Sequence, residues 1–318
     1  MKITELLHNA TDPQYSYEII PPKRGGSAND LIEVVNGLID LEPPYIDVTS
    51  HSAQVYYEEQ AGGTWKRHVK RKRPGTLGMC AAIRGRFGIE TVPHLLCYGF
   101  SREESEDALI ELNYLGIQNV MALRGDDNGY KKPLINDRTR NEFASDLVKQ
   151  ISDMNQGRYL ENLIDSSPSD FCVGVAGYPE KHFEAPNLTW DILNLKRKVE
   201  TGAAYITTQM CFDNQQIIEF EKKCREVGIT VPIIPGLKIL TSKKQLMSLP
   251  KNFAVQIPEA LAAEVESAKE GHVHEVGIEW AKKQSEELIE AGFQNIHFYL
   301  LMTSKHVRKV VGPLRKMA

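Results

Sequence analysis

Four times along this chain a helical stretch closes on a glycine and passes at once into an apolar run. The four are Leu115-Gly116-Ile117, Thr201-Gly202-Ala203, Val227-Gly228-Ile229 and Ala291-Gly292-Phe293. Glycine reaches the left-handed conformation that ends a helix without a Cβ penalty, so each tripeptide reads as a helix exit that turns into a strand. A recurring αβ unit accounts for all of them. Eight short apolar or β-branched runs supply the strands: Tyr15–Ile20, Tyr45–Thr49, Thr91–Cys97, Asn119–Leu123, Phe171–Ala176, Tyr205–Gln209, Val231–Ile234 and Asn295–Leu300. Between them lie helical patterns. Ser101-Arg102-Glu103-Glu104 is a capping box followed by Ala108, Leu112 and Leu115. Phe143, Leu147 and Ile151 repeat every four residues, as do Leu195 and Val199, and Asp213 opens a helix whose apolar face holds Ile217 and Phe220. Strand and helix alternating over 318 residues predict an α/β fold, a single (β/α)8 TIM-type barrel spanning 1–318, with a doubly wound open sheet as the alternative.

Composition narrows the functional classes. The formal net charge is −4, so no global basic field draws the chain to nucleic acid or to an anionic membrane. Its apolar runs, such as Val231–Ile234, are far shorter than a membrane span. The N-terminal residues lack a signal-peptide pattern, and the five cysteines are scattered without a C-x-x-C pair. They read as reduced thiols in a cytoplasmic protein. One segment stands apart: Lys66–Arg73 carries six Lys/Arg and one His in eight residues. It reads as a solvated excursion in a long βα connection.

In a parallel barrel the chemistry gathers where the strands end. The first strand runs Tyr17-Glu18-Ile19-Ile20-Pro21-Pro22. A carboxylate within an apolar strand is either held by a cation or raised in pKa until it can act as a general acid, and the strand alone leaves both open. The second strand exits at Asp47-Val48-Thr49-Ser50-His51-Ser52, rich in hydroxyl and imidazole groups. The third carries His94, which a core position also explains. The fourth exits at Leu123-Arg124-Gly125-Asp126, able to hold a planar heterocycle or a phosphate. The fifth exits at Gly177-Tyr178-Pro179-Glu180-Lys181-His182, and the next helix bears Asp191, Asn194 and Lys198 on one stripe. By spacing, that stripe is a solvated face. The sixth exit, Thr207-Thr208-Gln209, offers an amide suited to a heterocycle edge. No G-x-G-x-x-G, P-loop or G-x-S-x-G pattern is present, and His272-x-His274 lacks partners at metal-ligand spacing. No metal site is expected.

Taken in order, these exits resemble the methylenetetrahydrofolate reductase family. The resemblance rests on Tyr17–Pro22, Pro93–Cys97, Ala122–Asp126, Ala144–Leu147, Val175–Glu180 with His182, Asn194–Lys198, Ile206–Gln209 and Ile233–Gly236. It implies a (β/α)8 barrel holding non-covalent FAD. NADH or NADPH would reduce the flavin and leave, and 5,10-methylenetetrahydrofolate would follow in a ping-pong cycle. Matched residue by residue, Glu18 becomes the general acid that opens the folate ring, in an environment expected from Ile19, Ile20 and Pro21. Asp126, Gln209 and Gln245 become folate contacts. The flavin would be held by Thr49, His94, Arg124, Gly125, Asp126, Ala144, Tyr178, His182, Asp191, Asn194, Arg197 and Lys198, which turns the polar stripe from solvated to functional. A homo-oligomer is also implied.

Four places depart from the family pattern. Ser50-His51 replaces a Tyr-Gly step, Met210-Cys211-Phe212 replaces an aromatic run, and Leu237-Lys238-Ile239 replaces a Leu/Ile-Pro step. Phe298–Thr303 lacks an asparagine-arginine pair, so a folate-carboxylate contact is either missing or taken over by Lys305. A pterin-binding methyltransferase barrel and a flavin subunit fed electrons by another chain are the competing expectations.

Overall fold

A computed structural model describes residues 1–73, 75–126, 132–134, 138–300 and 302–316. In chain order, α1 (Ile3–Asn9) precedes β1 (Gln14–Ile19), and α2 (Ala28–Ile39) leads to β2 (Tyr45–Val48). A hairpin of β3 (Gln54–Glu59) and β4 (Trp65–Lys70) comes before α3 (Leu77–Phe87) and β5 (Glu90–Leu96). Next are α4 (Arg102–Tyr114), β6 (Asn119–Leu123), α5 (Ala144–Met154), β7 (Cys172–Gly177), α6 (Leu188–Thr201) and β8 (Tyr205–Met210). Then α7 (Asn214–Glu226) and β9 (Ile233–Leu237) are followed by α8 (Gln245–Phe253), α9 (Glu259–Ser267) and α10 (Val273–Glu290). Last are β10 (Asn295–Tyr299) and α11 (Lys305–Leu314).

Eight strands, β1, β2 and β5 to β10, close into a barrel in which every neighbouring pair is parallel. All eight expected strands are present, and the open sheet is excluded. The four glycine exits have φ of +67° at Gly116, +129° at Gly202, +88° at Gly228 and +98° at Gly292. Each therefore adopts the positive-φ backbone that other residues avoid.

Strand alternation sorts the side chains into two layers. Tyr17, Ile19, Ile46 and Val48 face outward and pack with Leu31, Val35 and Leu38 of α2 and Val307, Val310 and Val311 of α11. The inward set begins with a floor of Tyr45, Val92, Met121, Cys172, Tyr205 and Ile234, which Ile3 and Leu7 of α1 close from below. Buried Asn119 fastens that helix: its Oδ1 accepts from Ile3 N–H at 2.9 Å and its Nδ2 donates to the Met1 carbonyl at 2.9 Å.

Three local expectations need revision. Helix α4 stops at Tyr114, so Leu115 falls at its C-cap and is 44% exposed, while Leu109 and Leu112 carry the buried face. Phe143 is the N-cap of α5 and lies exposed, leaving Leu147 and Ile151 to pack. In the basic segment Lys66, Arg67, Lys70 and Lys72 are solvated as expected, but Arg71 and Arg73 are half-buried, and the part up to Lys70 is ordered as β4, antiparallel to β3 in the register Tyr57↔Arg67. All five cysteines are buried and unbridged. No described helix is long and apolar enough to cross a membrane.

Candidate active site

One alternation above the floor, toward the strand C-termini, the inward positions become Asp47, His94, Leu123, Gly174, Thr207 and Gly236. Glu18 and Tyr299 join this tier because Glu18 is in register with Asp47 on one side and Tyr299 on the other. The tier is polar and nearly sealed. His94 Nε2 stands 3.3 Å from Asp47 Oδ1 and 3.7 Å from Glu18 Oε2. On the far side, His297 Nδ1 lies 3.9 Å from Asp47 Oδ2 and shares a 2.8 Å hydrogen bond with Ser16 Oγ. Tyr299 donates its hydroxyl to the Thr208 carbonyl at 2.6 Å. Gly236 makes room for that ring, since a Cβ there would lie 2.6 Å from it. Lys238 reaches back across the exits of β9 and β10, donating Nζ to the Tyr299 carbonyl at 2.7 Å.

Burial sets the charge states. The Glu18 side chain keeps 16% exposure, and desolvation lifts its carboxyl to about 7, with His94 and Lys238 pulling down and Asp47 pushing up. Burial alone would depress His94, but the hydrogen bond to Asp47 and the nearby carboxylates outweigh it and hold the imidazole above its ordinary value. Burial pushes His297 down to about 4, so it is a neutral member of the tier at pH 7. Lys238 is pushed down to about 8 by burial, with Glu18 opposing. The environment expected for Glu18 from Ile19, Ile20 and Pro21 is corrected here. Ile19 points outward by alternation, and the desolvation comes from the barrel interior.

A second group lines the exits of β6 and β7. Arg124 pairs with Glu184 at 2.6 Å and lies over the Tyr98 ring at 5.7 Å. Gly125 has φ +83° and turns the chain from Arg124 to exposed Asp126. The Tyr178 and His182 rings meet edge-on at 4.8 Å. Asp191 accepts the His182 backbone N–H at 2.7 Å. On the same helix Arg197 donates to Asn194 at 3.0 Å, and half-buried Lys198 donates to the Ala176 carbonyl at 3.3 Å. Desolvation lowers Lys198, with Asp191 opposing and Arg124 reinforcing. Asp191 and Lys198 of the stripe thus turn to the β7 exit, and Ala144 is the first residue of α5.

The remaining positions scatter. Thr49 follows β2 with its buried Oγ1 lacking any hydrogen-bond partner among the described residues. Gln209 turns its Oε1 onto the Met210 N–H at 2.9 Å and lines a small cleft with Tyr178, Glu180 and Phe253. Gln245 caps its own loop: its Oε1 accepts from Thr241 N–H at 2.6 Å and Ser242 N–H at 3.1 Å. Sequence reasoning did not assign Asp47, His297, Tyr299 or Lys238. Asp47 carried the same signal as Glu18, a carboxylate in an apolar strand, and Lys238 stood out as a departure.

The fold and this mouth define a (β/α)8 barrel with a buried acid tier and a neighbouring cation-aromatic shelf. The chain belongs to the methylenetetrahydrofolate reductase family, whose model matches residues 2–315. It is 30% identical over 294 residues to the 5,10-methylenetetrahydrofolate reductase of Salmonella typhimurium, covering 90% of this chain and 85% of that protein. It is 31% identical to methylenetetrahydrofolate reductase 1 of Schizosaccharomyces pombe over 99% of this chain and 48% of that protein. The chain therefore spans about half the length of the fungal and plant relatives it matches. A Clostridium thermocellum protein of solved structure, described as binding two copies of 5-methyl-5,6,7,8-tetrahydrofolic acid, shares the fold with a TM-score of 0.61. It is 14% identical, covering 99% of this chain and 98% of that one.

Proposed function

We propose that this chain, acting as one barrel domain, reduces 5,10-methylenetetrahydrofolate to 5-methyltetrahydrofolate with NADH or NADPH as the electron source and non-covalent FAD as cofactor. The observation that carries the proposal is Glu18, a carboxyl in the barrel interior that is half protonated near pH 7. Such a group can give up a proton at neutral pH, which an exposed glutamate at about 4.3 cannot do efficiently.

The residues present fit a flavin. Buried Thr49 Oγ1 and Thr207 Oγ1 have no partner among the described residues, and buried hydroxyls of this kind normally find one. Lys198 and Arg124 offer cations at a partly covered shelf. In this reading His94, Arg124, Gly125, Ala144, Tyr178, His182, Asp191, Asn194, Arg197 and Lys198 hold FAD, with Thr49 and Asp126 at its edge. When bound, FAD supplies the hydride.

The protein's own task is to bind the pterin and deliver one proton. Glu18 donates from its carboxyl to a ring nitrogen of the folate, which breaks the five-membered ring and leaves a methylene iminium ion on the substrate. Ionisation leaves Glu18 negative beside His94 and Lys238, whose charges stabilise it. Gln209 and Asp126 orient the pterin, and Gln245 offers its free amide N–H groups from the α8 loop. A homo-oligomer belongs to the same proposal and is checked by the solution mass. The catalytic test is spectroscopic. A visible flavin spectrum should bleach under anaerobic NADH or NADPH and return on adding methylenetetrahydrofolate. Protein that takes up no flavin on reconstitution overturns the reading.

A further inference from the structure

The β3–β4 hairpin concentrates charge that the rest of the chain opposes. Residues 54–73 hold six Lys/Arg against two Glu, in a chain whose net charge is −4. On β4, Lys66, His68 and Lys70 share one face and Trp65, Arg67 and Val69 the other. Lys66 and Lys70 stand roughly 14 Å apart on their face, with His68 between them, and the whole strand extends about 20 Å. His68 pairs with Glu58 at 2.8 Å and stacks on Tyr56 at 4.9 Å, which stiffens the ribbon. Lys66, Arg67 and Lys70 are exposed and form no ion pair with any described residue. Such a row repels itself unless an anion lies along it.

The root of the hairpin is fixed to the mouth. Arg73 donates to the carbonyl of Pro21, three residues past Glu18. The Arg24 N–H donates to the Lys72 carbonyl at 2.8 Å, which brings the β1 exit against the same root. Arg71 lies over the Phe100 ring at 5.1 Å, on the loop after β5. The cation row therefore starts beside the acid tier and leads away from it. A compact pyrophosphate calls for cations converging on one point. A row strung along a strand suits a flexible chain of evenly repeated carboxylates.

We propose that the β3–β4 hairpin is a subsite for the poly-γ-glutamate tail of the folate substrate, laid along the outer edge of β4 within reach of Lys70 and Lys66 on one face and Arg67 on the other. This rests on the folate reading above. The exit of β10 through Ser304 has no arginine, so beyond a first contact at Lys305 the repeated carboxylates would meet their cations on the hairpin.

The test is direct binding of 5-methyltetrahydrofolate in its mono- and pentaglutamate forms, by calorimetry at low salt. The comparison is wild type against the triple variant Lys66→Ser, Arg67→Ser, Lys70→Ser, all at exposed positions. Three surface charge contacts give a ratio of Kd for mono- over pentaglutamate of roughly tenfold or more in wild type. The ratio should fall toward one in the variant and in wild type at high salt. A wild-type ratio near one, or a variant that keeps the wild-type ratio, overturns the hairpin subsite and leaves the reductase reading standing. Failure of both folates to bind overturns the folate reading and the subsite with it. A variant that keeps the glutamate preference but weakens for NADH and NADPH would reassign the cations to nucleotide phosphate.

Discussion

Glu18→Gln should separate stability from catalysis. Lifting the carboxyl from 4.5 to about 7 in the folded state means that its ionisation costs the fold about 3.4 kcal/mol. The folded pKa lies above the unfolded one, so Glu18 contributes most favourably below pH 4.5, and that contribution is lost as pH rises through 7. Glutamine keeps the shape and does not ionise. The stability of the variant relative to wild type should therefore rise with pH, by about 2.5 kcal/mol between pH 5 and pH 8, from the two-pKa linkage. For 318 residues the unfolding entropy is about 0.67 kcal/mol/K, so the gap in Tm should widen by about 4 °C. Urea melts of both proteins at pH 5, 6, 7 and 8, each with its own midpoint and slope, measure it. The same variant should still accept electrons from the nicotinamide nucleotide yet lose folate reduction. A stability gap that does not change with pH would show that Glu18 ionises without penalty, and the acid assignment would lose its physical basis.

Other perturbations read the same site from different sides. Lys238→Met removes a charge that pulls Glu18 down, so the alkaline limb of folate turnover should move to higher pH. Asp47→Asn removes a charge that pushes Glu18 up and should move that limb to lower pH; pH profiles shifting in the same direction would refute the pairing. Lys198→Ala should weaken FAD retention at least several-fold on gel filtration, and wild-type flavin content would return the α6 stripe to a solvated face. Gly277→Ala places a Cβ 2.0 Å from the Leu240 carbonyl oxygen and should cost about 2–3 kcal/mol. Gly312→Ala, with nothing within 4 Å, should stabilise α11 by about 0.5–1 kcal/mol; urea midpoints compare the two.

The barrel was legible because its signals are local. Each glycine exit needs only one residue with positive φ, and each strand needs only a short apolar run. The hairpin was not legible, because β3 and β4 bury no face and so carry no hydrophobic alternation. Glu18 could be singled out from an apolar strand, but its surroundings could not, since Asp47, His94, Tyr299 and Lys238 come to it from β2, β5, β10 and the exit of β9. Lys238 shows the limit most clearly. Its sequence neighbours are apolar, and only closure of the barrel brings its ammonium to the Tyr299 carbonyl. By spacing alone the α6 stripe reads as solvated, and its turn toward the β7 exit is set by contacts to His182 and Ala176 that lie outside the helix. Gln245 could be named from sequence, but the use of its carbonyl by its own loop could not.

The helix at the barrel floor has a consequence for traffic. With Ile3 and Leu7 seated under Tyr45, Val92 and Tyr205, and Asn119 tying the helix in place, the vessel has a bottom. Among the described residues, the acid tier is closed below and open toward the strand C-termini, the side from which a ligand or a re-protonating water would come. For the proposed function, electron donor and folate acceptor would then take turns at that opening, before any affinity is considered.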